Sequence, residues 1–248
     1  MEVGSSLNKN IKKVDNMKEQ YERTAMLLGE EAITKLNNAK VLIFGIGGVG
    51  GYVTEALARS GIGSFTLVDN DVVSTSNINR QIIATTKTVG RLKTEVMKER
   101  ILDINPDAQV DIRNCFFLPE NSYEIDFSDY TYVIDAIDTV TAKLEIICRA
   151  KECGVPVISS MGTGGKLDPS ALTVTDVYKT SACPLAKVMR YELRRRDIND
   201  LKVVYSTEKA IKPVEGNRIP GSIMAVPASA GLLLAQEVIK DIIEESAK

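Results

Sequence analysis

Histidine is absent from the 248 residues. Its absence removes Ser-His-Asp and Cys-His hydrolases, His-ligated zinc and imidazole acid–base chemistry together. Cysteine is scarce: Cys115, Cys148, Cys153 and Cys183 are the four present, and no two form a C-x-x-C pair. An all-cysteine zinc site and a secreted disulfide scaffold therefore do not fit, and a reducing cytoplasm is the expected location. No run of about 18 apolar residues occurs, and the lysine-bearing N-terminus has no apolar stretch. Neither a membrane span nor a signal peptide is expected. An excess of one charge is missing too: 31 Lys+Arg against 33 Asp+Glu give −2, so nucleic acid would have to be held by a local patch. Carboxylates, lysines, arginines, hydroxyls, backbone amides and single cysteines are left to do the chemistry.

What is present is a globular composition, 44% hydrophobic and 26% charged, with no internal repeat and no clear linker. At about 150 residues per domain the length allows one large α/β domain or two small ones. Residues 1–19 read as a polar, flexible tail, and 20–248 as one domain elaborated in its C-terminal half. Short runs at 40–45, 64–69, 109–113, 130–136 and 155–160 read as strands, those at 40–45 and 155–160 as buried ones. Between them, helical spacing appears over 49–60, 90–104 and 141–153. The alternation predicts a Rossmann-like, doubly wound, mostly parallel sheet. Beyond it come an alternating segment at 172–177, a basic helix at 185–196, a short strand at 203–206 and an apolar helix at 227–243, which suits either core or interface.

The chemistry gathers around Gly45, Gly47, Gly48 and Gly50, a G-x-G-x-x-G pattern after a strand and before a helix. Glycines there let the backbone approach a phosphate at a helix N-terminus. Alone the pattern is weak, since a glycine turn also serves helix–sheet packing. Asp69 ends the next strand, where a carboxylate meets ribose hydroxyls of NAD or ATP alike. Asp71, Asn77, Arg80 and Gln81 follow in one polar stretch, with Lys93 beyond. Two cations and an amide suit a triphosphate better than a nicotinamide dinucleotide.

The runs GIGGVG, LVDNDVVSTSNINRQ, VGRLKTEV and VIDAIDTV, in that order, resemble the ubiquitin-activating-type adenylating enzymes, which include the adenylyltransferases of molybdopterin and thiamine sulfur-carrier proteins. The resemblance implies a ThiF-like adenylating domain over 20–248 that binds ATP and attacks its α-phosphate with a substrate carboxylate. It implies that Gly48 touches the phosphates, Asp69 the ribose, and Asn77, Arg80 and Lys93 the polyphosphate. Asp138 would hold Mg2+, its neighbour Asp135 being a second ligand or a strand-end cap. A monovalent cation, Na+ or K+, is implied near the site. Arg23 matches an arginine supplied from the partner of a homodimer, the alternative being an exposed helix arginine. Arg23, Arg80, Lys93 and Asp138 are thus the catalytic candidates.

From RTAMLLG through MGTGGKLDPS, VYKTSACPLAKVMRYELRRR and VYSTEKAIKP to GSIMAVPASAGLLLAQEVIKDI, residues 20–243 resemble the tRNA threonylcarbamoyladenosine dehydratases. That family activates the carboxylate of threonylcarbamoyladenosine beside the anticodon of tRNA with ATP, and closes a ring that expels AMP. Members usually extend further, with a hydrophobic C-terminal helix, so this chain is expected to be a shortened piece or a shorter member. Lys187, Arg190 and Arg194 share a helix face, with Arg195 and Arg196 at its end. They offer a phosphate-backbone grip or a solvated face, with Tyr178 and Tyr191 the nearest aromatics. The rival reading is a sulfur-carrier adenylyltransferase or a sulfur-relay scaffold served by a cysteine-desulfurase system. It would use Cys183, expected in an exposed loop before Pro184.

Overall fold

The computed structural model describes residues 18–212 and 220–244. The expected tail lies outside them except for Lys18 and Glu19. Glu19 opens a 3-10 turn, and Lys18 Nζ reaches Asn105 Oδ1 at 3.0 Å and Asp107 Oδ2 at 2.6 Å.

Seven strands form one sheet in the order β3-β2-β1-β4-β5-β7-β6. They are β1 Lys40–Phe44, β2 Ser64–Val68, β3 Gln109–Arg113, β4 Tyr132–Asp135, β5 Val157–Ser160, β6 Leu172–Asp176 and β7 Lys202–Ser206. All pair in parallel except β6, which runs antiparallel to β7. Burial follows position in the sheet. Central β4 and β5 are buried at every residue, while edge β3 alternates between exposed Gln109, Asp111, Arg113 and half-buried Val110, Ile112. Alternation with charge on the open face is how an edge strand stays soluble.

Helices cover both faces: α1 Glu22–Leu28, α2 Glu30–Asn38, α3 Gly50–Arg59, α4 Lys93–Ile104, α5 Val140–Glu152, α6 Pro184–Arg194 and α7 Ala225–Glu244. Val53, Leu57, Met97, Ile101, Leu234 and Val238 pack from α3, α4 and α7 against one face. Ile146, Ile147, Met189 and Leu193 pack from α5 and α6 against the other, beside the cluster of Phe44, Phe117 and Phe127. Each such fully buried side chain contributes about 1.5–3 kcal/mol. The last helix is therefore core, through its buried face on α3.

Most boundaries shift by one to three residues from expectation, and two of the shifts have a visible cause. Helix α4 begins at Lys93 rather than 90, because Gly90 has φ +89° and its N–H is paired across to the Val73 carbonyl at 2.8 Å. Helix α7 begins at Ala225, two residues before Pro227, since a proline in a first turn forfeits no helical hydrogen bond.

Candidate active site

The turn 45–50 leaves β1 at the carboxyl edge of the sheet and enters α3, where open α/β sheets bind their ligands. Gly50 is fixed by the chain itself: a Cβ there would lie 1.7 Å from the Gly45 carbonyl oxygen. Gly47 and Gly48 are under no such pressure. A Cβ on Gly47 would come no nearer than 3.8 Å, to Gln81 Nε2, and one on Gly48 no nearer than 3.4 Å, to Pro227 Cβ. Their bareness instead leaves backbone open beside the start of a helix, where free N–H groups and the helix dipole favour an anion.

Asp69 braces this turn from β2. Its Oδ2 accepts the Ile46 N–H at 2.6 Å and its Oδ1 the Asp71 N–H at 2.8 Å, and each oxygen keeps capacity for a hydroxyl. Lys93 opens α4 with its side chain only 7% exposed and Nζ 2.6 Å from Asp71 Oδ2, a carboxylate that itself faces solvent. Asp71 thus holds Lys93 at the site. Asn77 is buried and its Oδ1 takes the Ser74 N–H at 3.0 Å, ordering the turn that carries Arg80.

Arg80 and Gln81 complete the cradle. Arg80 Nη1 donates to the Ser76 carbonyl and to Asn79 Oδ1, both at 2.9 Å, and among the described residues its guanidinium meets no carboxylate. Its Cγ lies 3.7 Å from the space over Gly48. Gln81 is 6% exposed, yet its Oε1 has no hydrogen-bond partner. A buried acceptor left without a donor costs about 1–3 kcal/mol. The Gln81 amide Nε2, a donor, is the atom that lies 3.8 Å from the space a Gly47 side chain would take.

Asp138 is exposed on the loop from β4 to α5, next to Ile137, whose Cγ2 occupies the space a Gly45 side chain would need. Asp135 is no surface ligand: it is fully buried, 2.8 Å from Lys143 Nζ, and accepts the Ser159 hydroxyl at 2.6 Å. Among the described residues no three cysteine, aspartate or glutamate side chains gather to hold a metal. A single carboxylate suits Mg2+, which takes most of its oxygens from phosphate and water.

Arg23 is not brought to this site within the chain. It is exposed on α1, two residues from Tyr21, whose ring packs on Gly61 beyond the far end of α3. Ten helical residues, about 15 Å, separate that end from the glycine turn. Met26 and Leu27, both 83% exposed, lie on the same helix. A cleft of about 520 Å3 near Tyr21 contains Arg59 and Arg100, but Glu55 binds both guanidiniums and Asp103 faces them, so it presents no excess charge.

The cysteines correct one expectation. Cys183 is 5% exposed, inside the core over α6, rather than in an open loop. Its Sγ would be 3.8 Å from a Gly162 side chain, and Lys166 lies nearby with its ammonium drawn below the usual lysine range by burial. Burial also pushes the Cys115 and Cys148 thiols up, away from thiolate. The basic helix changes too. Arg190 donates to the Thr180 carbonyl and hydroxyl, Arg194 lies 4.9 Å over the Tyr178 ring, and Arg195 and Arg196 pair with Glu192. Of these cations Lys187 alone has no side-chain partner among the described residues.

Other contributors were not foreseen. Pro227 of α7 faces Gly48, and Asn79 Nδ2 donates to the Ser222 carbonyl at 2.9 Å. Gly165 N–H donates to the Gly221 carbonyl at 2.7 Å. The segment before α7 therefore joins the Arg80 turn to the loop after β5, a long-range closure that no local pattern announces.

The ThiF family model matches residues 21–248. The chain is 38% identical to the tRNA threonylcarbamoyladenosine dehydratase of Bacillus subtilis, over 92% of this chain and 96% of that one. It is 39% identical to the Escherichia coli enzyme of the same name, over 87% and 82%. The E. coli enzyme solved in complex with ATP superposes with a TM-score of 0.86 at 37% identity, over 92% of this chain and 95% of that one. A sulfur-transferring relative, the adenylyltransferase and sulfurtransferase UBA4 of Candida glabrata, matches 60% of this chain at 39% identity and is itself covered over 34%. With the glycine turn, its acidic brace and its cations in one place, the chain belongs to the ThiF family, among the tRNA threonylcarbamoyladenosine dehydratases.

Proposed function

We propose that this protein uses ATP to cyclise threonylcarbamoyladenosine in tRNA, with loss of water. The observation that carries the reading is the cradle itself: an open glycine backbone, a carboxylate-free Arg80, a nearly buried Lys93 and the Gln81 amide beside Gly47, all around one helix N-terminus.

In this reading Gly45, Gly47, Gly48 and Gly50 shape the turn that receives the phosphates, and Asp69 accepts ribose hydroxyls with the lone pairs left from Ile46 and Asp71. Arg80, Lys93, Asn77 and Gln81 bind the polyphosphate. Lys93 exchanges the exposed Asp71 carboxylate for phosphate oxygen, an exchange of partners at little desolvation cost. Asp138 would hold Mg2+, which would supply charge neutralisation at the polyphosphate. The substrate carboxylate oxygen attacks the α-phosphorus, and pyrophosphate leaves. The carbamoyl nucleophile of the same nucleoside then attacks the acyl carbon, its proton is lost, and AMP departs with one former carboxylate oxygen. Because nucleophile and electrophile share one molecule, effective molarity replaces an enzyme-bound covalent intermediate.

Arg23, remote from its own glycine turn, serves the site of a second copy in a homodimer. The buried Cys183 speaks against the sulfur-relay alternative and a desulfurase partner, because its thiol is enclosed by the core. A monovalent cation is assigned to no cluster of described residues. The four cysteines, free and without a C-x-x-C pair, are the ground for placing the enzyme in a reducing cytoplasm. The test is release of AMP and pyrophosphate on adding threonylcarbamoyl-modified tRNA. Arg80→Ala and Asp138→Ala should each lower it by at least a hundredfold, and full activity in both would overturn the site assignment.

A further inference from the structure

Lys143 is the least expected charge in the molecule. It is fully buried, in the first turn of α5, where the helix dipole disfavours a cation. So unfavourable a placement is offset by the groups that the ammonium holds. Its Nζ donates to the Ile137 carbonyl at 2.9 Å and pairs with Asp135 Oδ2 at 2.8 Å. Asp135 Oδ1 accepts the Ile137 N–H at 3.3 Å, and its Oδ2 the Ser159 hydroxyl from β5 at 2.6 Å. Both backbone polar groups of Ile137 are thereby tied, one to each member of a buried ion pair, while its side chain lies against Gly45. The next residue is Asp138.

We infer that the Lys143–Asp135–Ser159 network is a positioning device. By pinning Ile137 at three points it sets the offset between the Asp138 carboxylate and the glycine turn, so that a metal ion on Asp138 meets phosphates resting on Gly47 and Gly48. The inference rests on the proposed role of Asp138. Lys143 touches neither nucleotide nor metal; it acts through Ile137. Neutral replacement of Lys143 frees the Ile137 carbonyl and lets the Asp138 loop move without altering a ligand-contacting side chain.

The experiment measures equilibrium affinity for ATP with and without Mg2+, and for AMP, by titration calorimetry on the full chain. Lys143→Met, and the charge-balanced Asp135→Asn/Lys143→Met in case the single variant does not fold, should lose about tenfold of the gain in ATP affinity that Mg2+ gives. Their affinity for AMP, which engages no Asp138-bound metal, should stay within twofold of the parent. Ser159→Ala, which keeps the ion pair, should lose roughly threefold. A lysine that only stabilised the fold would lower the unfolding temperature and leave the Mg2+-dependent gain intact, and that result overturns the inference. Asp138→Ala separates the layers. If it abolishes the gain while Lys143→Met and the double variant preserve it, the positioning role fails alone. If Asp138→Ala itself leaves the gain unchanged, the role of Asp138 fails and the inference with it.

Discussion

Adding one methyl group at neighbouring glycines of the 45–50 turn has opposite consequences. At Gly50 the new Cβ would collide with the Gly45 carbonyl carbon and oxygen, at 2.9 and 1.7 Å, and backbone cannot give way as a side chain can. Gly50→Ala should destabilise the protein by at least about 3 kcal/mol or prevent folding, read by chemical denaturation. At Gly48 the nearest atom is at ordinary contact distance. Gly48→Ala should fold with an unchanged unfolding temperature and lose ATP affinity, about tenfold or more, because the methyl occupies ligand space. Equal loss of stability in both would remove the distinction between the packing glycine and the binding one. The sequence pattern shows four glycines and cannot divide them in this way, since the division depends on what lies opposite each in space. Asp69, Arg80 and Lys93 could be singled out as candidates in the sequence because they follow the glycine turn in polar runs that carry the family resemblance. The burial of Gln81 and the Asp135–Lys143 pair were not, because both depend on neighbours from other strands.

At the scale of elements, α6 shows how a charged stripe misleads. Lys187, Arg190 and Arg194 share a helical face by spacing, but Arg190 folds back on Thr180 and Arg194 on the Tyr178 ring. Charge reversal at Lys187 should therefore weaken tRNA binding if α6 touches RNA at all, with a shallower salt dependence. Arg190→Glu should act mainly on stability, and filter binding at two salt concentrations together with thermal melts separates the effects. Cys183 was misplaced for a related reason. A cysteine before a proline reads as loop, and it is the N-cap of α6, turned inward beneath the Gly162 loop. Cys183→Ala should retain full AMP release. A thiol reagent should label exposed Cys153 well before Cys183, and immediate labelling of Cys183 would return the sulfur-relay reading to contention. The strands and the order of helices were legible because buried parallel strands are continuous apolar runs. The start of α4 was missed by three residues, where a glycine with positive φ stops the helix from extending backward.

For the whole molecule, two long-range arrangements make separate predictions. Glu55 sits between α3 and α4, bound to Arg59 at 2.7 Å and Arg100 at 2.5 Å. Burial alone would raise its pKa, but the hydrogen bonds from Arg100 and Arg59 outweigh burial and hold the carboxyl below the usual glutamate range. A depressed carboxyl stabilises the fold above the unfolded value, and the contribution is lost as pH falls through the folded one. Glu55→Gln should cost roughly 1–3 kcal/mol at neutral pH. The gap to the parent should close as the pH drops below about 4.3. A gap independent of pH would show that packing rather than charge is responsible. The second arrangement is between copies. With Arg23 acting in the partner's site, mixing inactive Arg23→Ala with inactive Asp138→Ala should restore up to about a quarter of parental activity, since half the dimers are mixed and each has one intact site. No recovery after subunit exchange would place Arg23 outside the reaction.

The most direct test follows an oxygen atom. Threonylcarbamoyl-modified tRNA carrying oxygen-18 in the free carboxylate is incubated with the protein, ATP and Mg2+, and the released nucleotide and phosphates are analysed by mass spectrometry. Attack on the α-phosphorus predicts one heavy oxygen in AMP, none in pyrophosphate, and a nucleoside lighter by one labelled water. Heavy oxygen in inorganic phosphate, with ADP as the other product, would contradict it.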